Sequence, residues 1–291
     1  QVVPDRSTEN RGKIWNRVTA SSNKLITFID LCGHEKYLKT TIFGLSGMMP
    51  DYALIVVGAN MGISRMTKEH LGIALRLKIP LFIVVTKVDI APDTVLADTL
   101  KKLKKIMKDY GNKLPVHVTE KEDVDNLAHN LGDVDTVCPI FTISNVTGEG
   151  MPQLKKFLAS LNSRSETCEM IRPATDPAEF VIDGVYLVQG VGICVSGTMR
   201  AGTIRTNDHA LLGPDKNGTF KNVVIKSIHY KRSPIPECHA GQSICFNIRA
   251  IGKKDQLRRT QFRKGMVLVD RSVEPKVCKE FEIEAQILHH A

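Results

Sequence analysis

Asp30, Gly33 and His34 stand together just past an apolar run, Leu25 to Ile29. A carboxylate at the C-terminal end of a parallel strand lies at the ligand-binding edge of a sheet, and a glycine three residues on lets the backbone approach a phosphate closely. Two more apolar runs end in comparable groups. Thr86-Lys87-Val88-Asp89 follows Leu81 to Val85. A carboxylate there can accept two hydrogen bonds from the N1–H and exocyclic amine of guanine, and a lysine stem can lie along the base plane. Ser144-Asn145-Val146 follows Pro139 to Ile143 and can offer backbone N–H groups and a small side chain to the guanine carbonyl oxygen. Taken singly, Asp-x-x-Gly is a common loop, Asp89 can cap a following helix, and Ser144 can sit in an ordinary turn. Three such groups in order, on three successive strand ends, form one pattern.

The elements that must position them are legible as alternation. Apolar runs at 25–29, 52–57, 81–85 and 139–143 are each followed by helical spacing, at 35–45, 66–77, 95–110 and 151–161. This predicts an α/β unit with a parallel sheet covered on both faces. In the helix predicted over 95–110, Leu96, Leu100, Leu103, Ile106 and Met107 make the apolar stripe, and the lysines at 101, 102, 104, 105 and 108 read as its solvated face. Before the first run, alternation from Lys13 to Val18 suggests an edge strand. Residues 162–177 are polar and proline-bearing, which suggests a linker. Beyond them the period falls to two, in Phe180–Asp183, Val185–Val188, Ile193–Ser196, Val223–Tyr230, Ser243–Ile248 and Met266–Val269, which predicts a closed antiparallel barrel. Phe281 to Leu288 then opens another alternating strand.

The net charge of +9 is unevenly spread. Residues 1–202 hold 24 basic and 22 acidic side chains, residues 203–276 hold 15 and 6, and residues 277–291 hold 1 and 3. The excess therefore lies on the barrel, where it suggests a polyanionic partner such as nucleic acid, or simply a solvated basic surface. The seven cysteines are scattered, with no Cys-x-x-Cys pair, which suggests a reducing compartment. No apolar run nears the roughly 20 residues that span a bilayer. The sequence is thus read as soluble and cytoplasmic, with no membrane partner. His289-His290 has no further ligand candidates nearby in sequence and is not read as a metal site.

The wording of these groups resembles the translational GTPases of the elongation factor Tu and elongation factor 1-alpha superfamily. Asp30-Leu-Cys-Gly-His34 is similar to its switch II, Thr86-Lys-Val-Asp89 to its guanine motif and Ser144-Asn-Val146 to its third base-contact loop. The stretches Phe28 to Thr41 and Ile143 to Glu149 are most similar to the eukaryotic GTP-binding protein 1 and 2 subfamily. Val188 to Gly202 resembles the start of the family's second-domain barrel, and Phe262 to Leu268 its closing strand. The resemblance implies GTP or GDP with Mg²⁺ as ligand. Asp30 would reach the Mg²⁺ through water, the Gly33 amide would bind the γ-phosphate, and His34 would orient the attacking water. Thr86, Lys87 and Asp89 would select guanine, with Ser144, Asn145 and Val146 behind the base. Thr86 departs from the more common asparagine.

Gly-x-x-x-x-Gly-Lys-Ser/Thr is absent from the sequence, since neither Gly44-Leu-Ser-Gly nor Gly58-Ala-Asn-Met-Gly is followed by Lys-Ser/Thr. Each charge-assisted hydrogen bond of such a phosphate loop contributes about 1.5 to 3 kcal/mol. Lacking three would weaken nucleotide binding by about three powers of ten or more. The expectation is an N-terminally truncated GTP-binding domain over 1–161, a linker over 162–177, a translation-factor barrel over 178–275 and the start of a third β domain over 276–291. The parent would hydrolyse GTP in step with tRNA or ribosome binding, as a monomer, and the 291 residues alone would not turn GTP over. The alternative is a nucleotide-independent RNA- or ribosome-binding protein on a GTPase scaffold. In either reading, Lys253, Lys254, Arg258, Arg259, Arg263 and Lys264 are candidate phosphate contacts.

Overall fold

The structure is a computed structural model, and it describes residues 17–119, 123–133, 135–164, 171–252, 257–278 and 280–283. Backbone contacts separate a unit over Phe28–Arg164 from a second unit containing the described residues on either side of it.

The first unit is built on a four-stranded parallel sheet. Its elements in chain order are α1 (Leu38–Gly47), β1 (Ala53–Gly58), α2 (Arg65–Arg76), β2 (Leu81–Thr86), α3 (Asp93–Asp109), β3 (Leu114–His117), α4 (Val124–Asp133), β4 (Val137–Thr142) and α5 (Met151–Ser160). The strand order is β1-β2-β4-β3. β2 (Leu-Phe-Ile-Val-Val-Thr) is buried on both faces, as an apolar, β-branched central strand should be. On one face, Leu81, Ile83 and Val85 pack with Leu71 and Ala74 of α2 and Leu103 and Met107 of α3. On the other, Phe82, Val84 and Phe141 meet Ala128 and Leu131 of α4 and Leu154 and Phe157 of α5. Phe82 and Phe157 lie edge to face with centroids 5.1 Å apart, and Phe141 sits 5.0 Å from Phe157.

Two differences from the sequence reading concern this sheet. Residues 25–29 form no strand, and Leu25, Ile26 and Phe28 are exposed at 37%, 44% and 66%. A strand exists only where a neighbour supplies its hydrogen bonds. Among the described residues β1 pairs with β2 alone, and no strand is offered to 25–29. Coverage on both faces also fails at β1, where Ala53, Ile55 and Val57 are buried while Leu54 and Val56 lie open. The edge strand suggested at 13–18 falls outside the described residues up to 16, and Arg17 and Val18 begin a single helical turn instead.

The second unit closes into a barrel. Its strands are β5 (Glu179–Val188), β6 (Gly192–Ala201), β7 (Thr203–Arg205), β8 (His209–Gly213), β9 (Lys221–Tyr230), β10 (Ser233–Ile235), β11 (Glu237–His239), β12 (Ser243–Ala250) and β13 (Val267–Asp270). Six run β9-β12-β6-β5-β13-β8, and pairing of β8 with β9 completes the ring. Inward residues such as Phe180, Val195, Ile225, Phe246 and Leu268 fill it, with Phe180 and Phe246 rings 4.6 Å apart. The two runs read at 180–183 and 185–188 are one strand interrupted by a bulge between Ile182 and Gly184. The six described cysteines are all free. No described helix is long and apolar enough to cross a membrane. The strand expected from 281 and the His289-His290 pair fall mostly or wholly outside the described residues, and 281–283 are irregular.

Phe157 joins α5 to both aromatic partners on the sheet. Phe157→Ala should cost about 3 to 5 kcal/mol, seen in urea unfolding as a lower midpoint at unchanged slope.

Candidate functional site

The parallel pairing of β2 with β4 sets Val85 opposite Thr142, so their C-terminal ends leave the sheet side by side. Two further bonds stitch the loops that follow. The Ile143 amide donates to the Val85 carbonyl at 2.8 Å, and the Val88 amide to the Ile143 carbonyl at 3.4 Å. The segments 86–89 and 144–146 are thereby held at one sheet edge.

The first loop turns abruptly. Lys87 has φ of +62°, a left-handed conformation uncommon for a residue with a side chain and frequent at functional turns. Lys87 and Asp89 are both exposed. Asp89 does not cap the following helix, because the N-cap position is Pro92 and has no side-chain cap bond. The carboxylate therefore remains available to a ligand. Thr86 is half-buried, and its hydroxyl donates to the Val57 carbonyl at 3.5 Å.

The second loop is closed on itself. Ser144 is fully buried, and its hydroxyl oxygen accepts from the Val146 and Thr147 amides, both at 3.1 Å. The Ser144 amide donates to the Glu149 carbonyl at 3.1 Å, and the Gly148 amide to the Ser144 carbonyl at 3.0 Å. Ser144 thus shapes the loop from inside, while Asn145 and Val146 face solvent, Val146 at 85% exposure. Sequence reasoning passes over Gly150, which ends this loop at φ of +68° and starts α5. A Cβ there would lie 2.0 Å from the Thr142 carbonyl oxygen. The signal for it is Gly148-Glu-Gly150, two glycines just before a predicted helix.

The Asp30 to His34 segment is irregular but anchored. Leu31 packs into the sheet–helix core, where its Cδ2 would sit 2.2 Å from any Cβ added to Gly44 of α1. Glycine at 44 is therefore a seat for Leu31 and not part of a phosphate loop. The Cys32 carbonyl accepts from the Thr41 hydroxyl at 2.7 Å. His34 caps the short 3₁₀ turn Glu35–Tyr37, its Nδ1 accepting from the Lys36 amide at 3.1 Å. That bond requires a lone pair on Nδ1, which leaves Nε2–H as the outward donor of the neutral ring. Asp30 and Gly33 are exposed, and nothing stands within 4 Å of a Cβ built on Gly33.

The donor set fits the two ends of a guanine nucleotide unequally. At the base end stand an exposed carboxylate, a lysine stem and a preformed loop. At the phosphate end, Asp30, Gly33 and His34 are presented in the open. The turn at Gly58 does not add a cradle, since the amides of Ala59, Met61 and Gly62 donate to Thr86, Gly58 and Gly58 at 2.8, 3.1 and 2.9 Å. Among the described residues no group of three or more His, Cys, Asp or Glu can hold a metal ion.

In the barrel unit, Leu257 and Phe262 pack inward, and Arg258, Arg259, Arg263 and Lys264 between and beyond them are exposed. Arg263 also donates to the Pro214 carbonyl at 3.4 Å. Lys253 and Lys254 lie outside the described residues.

A parallel sheet that holds the 86–89 and 144–146 loops at one edge, followed by a closed six-stranded barrel, is the architecture of a GTP-binding translation factor. Residues 9–164 match the family described as the Elongation factor Tu GTP binding domain. The chain is 47% identical over its whole length to GTP-binding protein 1 of Xenopus laevis, of which it spans 43%. It is 42% identical over 94% of its length to GTP-binding protein 2 of Mus musculus, of which it spans 45%. In fold it is similar to translation elongation factor SelB of Methanococcus maripaludis in complex with the GTP analogue GppNHp, with TM-score 0.63 and 24% identity over 86% of this chain and 48% of that one. The family match covers more than half of the chain, which belongs to the translational GTPase superfamily.

Gly150→Ala forces a left-handed alanine against a carbonyl. It should destabilise the unit by about 2 kcal/mol or more, and amide exchange across 144–150 should quicken.

Proposed function

We propose that this chain is the nucleotide-reading and barrel portion of a translational GTPase whose nucleotide state governs docking to tRNA or the ribosome. The observation that carries it is the stitching of the Lys87–Asp89 turn to the Ser144–Val146 loop at one sheet edge. Asp89 accepts from the guanine amino and N1–H groups, Lys87 lies along the base, and the loop around Asn145 and Val146 supports the base. Thr86 and Ser144 act by shaping the two loops. Gly33 would contribute its amide to the γ-phosphate, Asp30 would hold Mg²⁺ through water, and His34 would orient the attacking water. Bound Mg²⁺ would offset the charge of the phosphates. The domain division we propose is 1–161 for nucleotide, 162–177 for linker, 178–275 for barrel and 276–291 for a further β domain.

In the full-length protein, Asp89→Asn should reduce the preference for GTP over ATP by about 10- to 150-fold, the effect of removing charge-assisted bonds of about 1.5 to 3 kcal/mol. Competition binding with the two nucleotides measures it, and unchanged selectivity removes Asp89 from base reading. The 291-residue chain alone should show no measurable GTP turnover, and multiple turnovers by it overturn that part of the proposal.

A second reading, nucleotide-independent binding of RNA through the barrel, is favoured by the exposed Arg258, Arg259, Arg263 and Lys264. Its mark is RNA affinity that is indifferent to GTP. In both readings the affinity should fall as salt rises, with a log–log slope of about 0.7 for each phosphate that the protein neutralises. Charge reversal of Arg258 and Arg259 should reduce that slope.

A further inference from the structure

The lysines of α3 stand out once their surroundings are known. Lys101, Lys105 and Lys108 are exposed and lie on the side of α3 opposite the buried Thr99, Leu103 and Met107. They span about 10 Å of helix axis. Lys102 is satisfied by Asp98 at 2.6 Å, whereas Lys101, Lys105 and Lys108 have no ion pair among the described residues. From 101 to 108 there is no acidic residue. Tyr110, the C-cap of α3, is 81% exposed and by helical spacing lies round the helix end from the ridge, on the side of Leu103 and Met107. There α3 meets the end of α2 at a cavity of about 360 Å³ that Lys78, Tyr110 and Asn112 line and that contains the Lys113–Asp135 ion pair. Lys78 and Asn112 are exposed residues in the left-handed conformation, with φ of +53° and +47°.

We infer that this ridge is an RNA-docking surface of the GTP-binding unit, separate in its residues from the basic loop of the barrel. Lysines are flexible point-charge donors suited to successive phosphates. The open tyrosine ring beside a cavity offers an unpaired base a stacking face. An acidic peptide has no use for that ring. A lipid surface calls for apolar side chains among the lysines, and the ones here, Leu103, Ile106 and Met107, point into the core. Helix-end electrostatics explains why lysines are tolerated near the C-terminus of α3. It does not explain an exposed aromatic at its end. The inference rests on the RNA-directed part of the proposed function, and extends it to a surface that neither the nucleotide loops nor the barrel supplies.

The test uses the 291-residue chain and a labelled single-stranded RNA of about 16 nucleotides, with anisotropy titrations from about 50 to 200 mM salt. The triple variant Lys101→Gln/Lys105→Gln/Lys108→Gln should lower the log–log salt slope by about 2, for three phosphates at about 0.7 each. The corresponding triple Lys→Arg variant should keep it. Tyr110→Ala should weaken binding about tenfold at every salt concentration and leave the slope alone, as expected when a stacked ring is removed. Circular dichroism melting establishes that each variant is folded. An unchanged slope in the glutamine variant overturns the inference, as does an equal weakening of binding to polyglutamate or to anionic lipid vesicles. Because Arg258 and Arg259 are untouched, an unchanged slope here beside a reduced slope in the barrel variant leaves the proposed function standing.

Discussion

The candidate site depends on the pairing of β2 with β4. Both strands are buried on both faces, and the alternation of Phe82 and Val84 toward one helix layer with Ile83 and Val85 toward the other fixes their register. A slip of one residue would exchange the two layers. That register brings Val85 and Ile143 into contact and carries the hydrogen bonding past the last strand residue, from Ile143 to Val85 and from Val88 back to Ile143. Lys87 and Asp89, the lysine and carboxylate proposed to read a base, are consequently placed by hydrophobic burial some distance beneath them. Among the described residues neither side chain makes a bond that holds the turn. Function-bearing side chains are left free because the core and the backbone supply the order.

The same division governs the phosphate-side segment, with a different outcome. Asp30, Gly33 and His34 also rely on neighbours for their position, through Leu31 seated over Gly44, the Cys32 carbonyl on Thr41, and the ring nitrogen of His34 on the Lys36 amide. These are local ties to α1 and to the turn before it. No strand lies beneath them among the described residues, so the segment is fixed at points and open between. The apolar run at 25–29 shows why a sequence reading overestimates such a region. Periodicity reports what a segment can do when a partner is present, and the partner is a property of the whole sheet.

Legibility follows that distinction elsewhere. Apolar runs with uniform burial, such as Leu81 to Val85, and amphipathic helices, such as 95–110, are readable to within two residues because one segment contains the whole signal. β3 escapes such a reading: it is a four-residue edge strand containing Pro115, which removes a donor and breaks the pattern a strand is recognised by. α4, beginning at Val124, escapes it too, because its polar Asp, Asn and His residues dilute its stripe of Val124, Leu127, Ala128 and Leu131. β8, which closes the barrel, is only five residues long and pairs with β9 and β13, the latter more than fifty residues away. In the site, residue identities are legible at Asp89, Lys87 and Ser144, but not their division of labour. That Ser144 faces inward and Gly150 is sterically required depends on a buried loop interior and on a carbonyl at Thr142.

The α3 lysines illustrate the opposite limit. Sequence alone assigns them to a wet face, which they do occupy. A wet face needs only solubility, and alternating signs would supply it with mutual ion pairs at i, i+4, as Asp98 and Lys102 do. A run of one sign instead adds repulsion along the helix, a cost of a few tenths of a kcal/mol for each like pair. The C-terminal end of the helix and the flanking Asp98 and Asp109 relieve part of that cost, and Leu103 and Met107, both fully buried, offset the rest. The hydrophobic stripe that fixes α3 to the sheet therefore also permits its outer face to concentrate charge. An anionic partner would remove the repulsion on binding, so part of the attraction is built into the unbound helix.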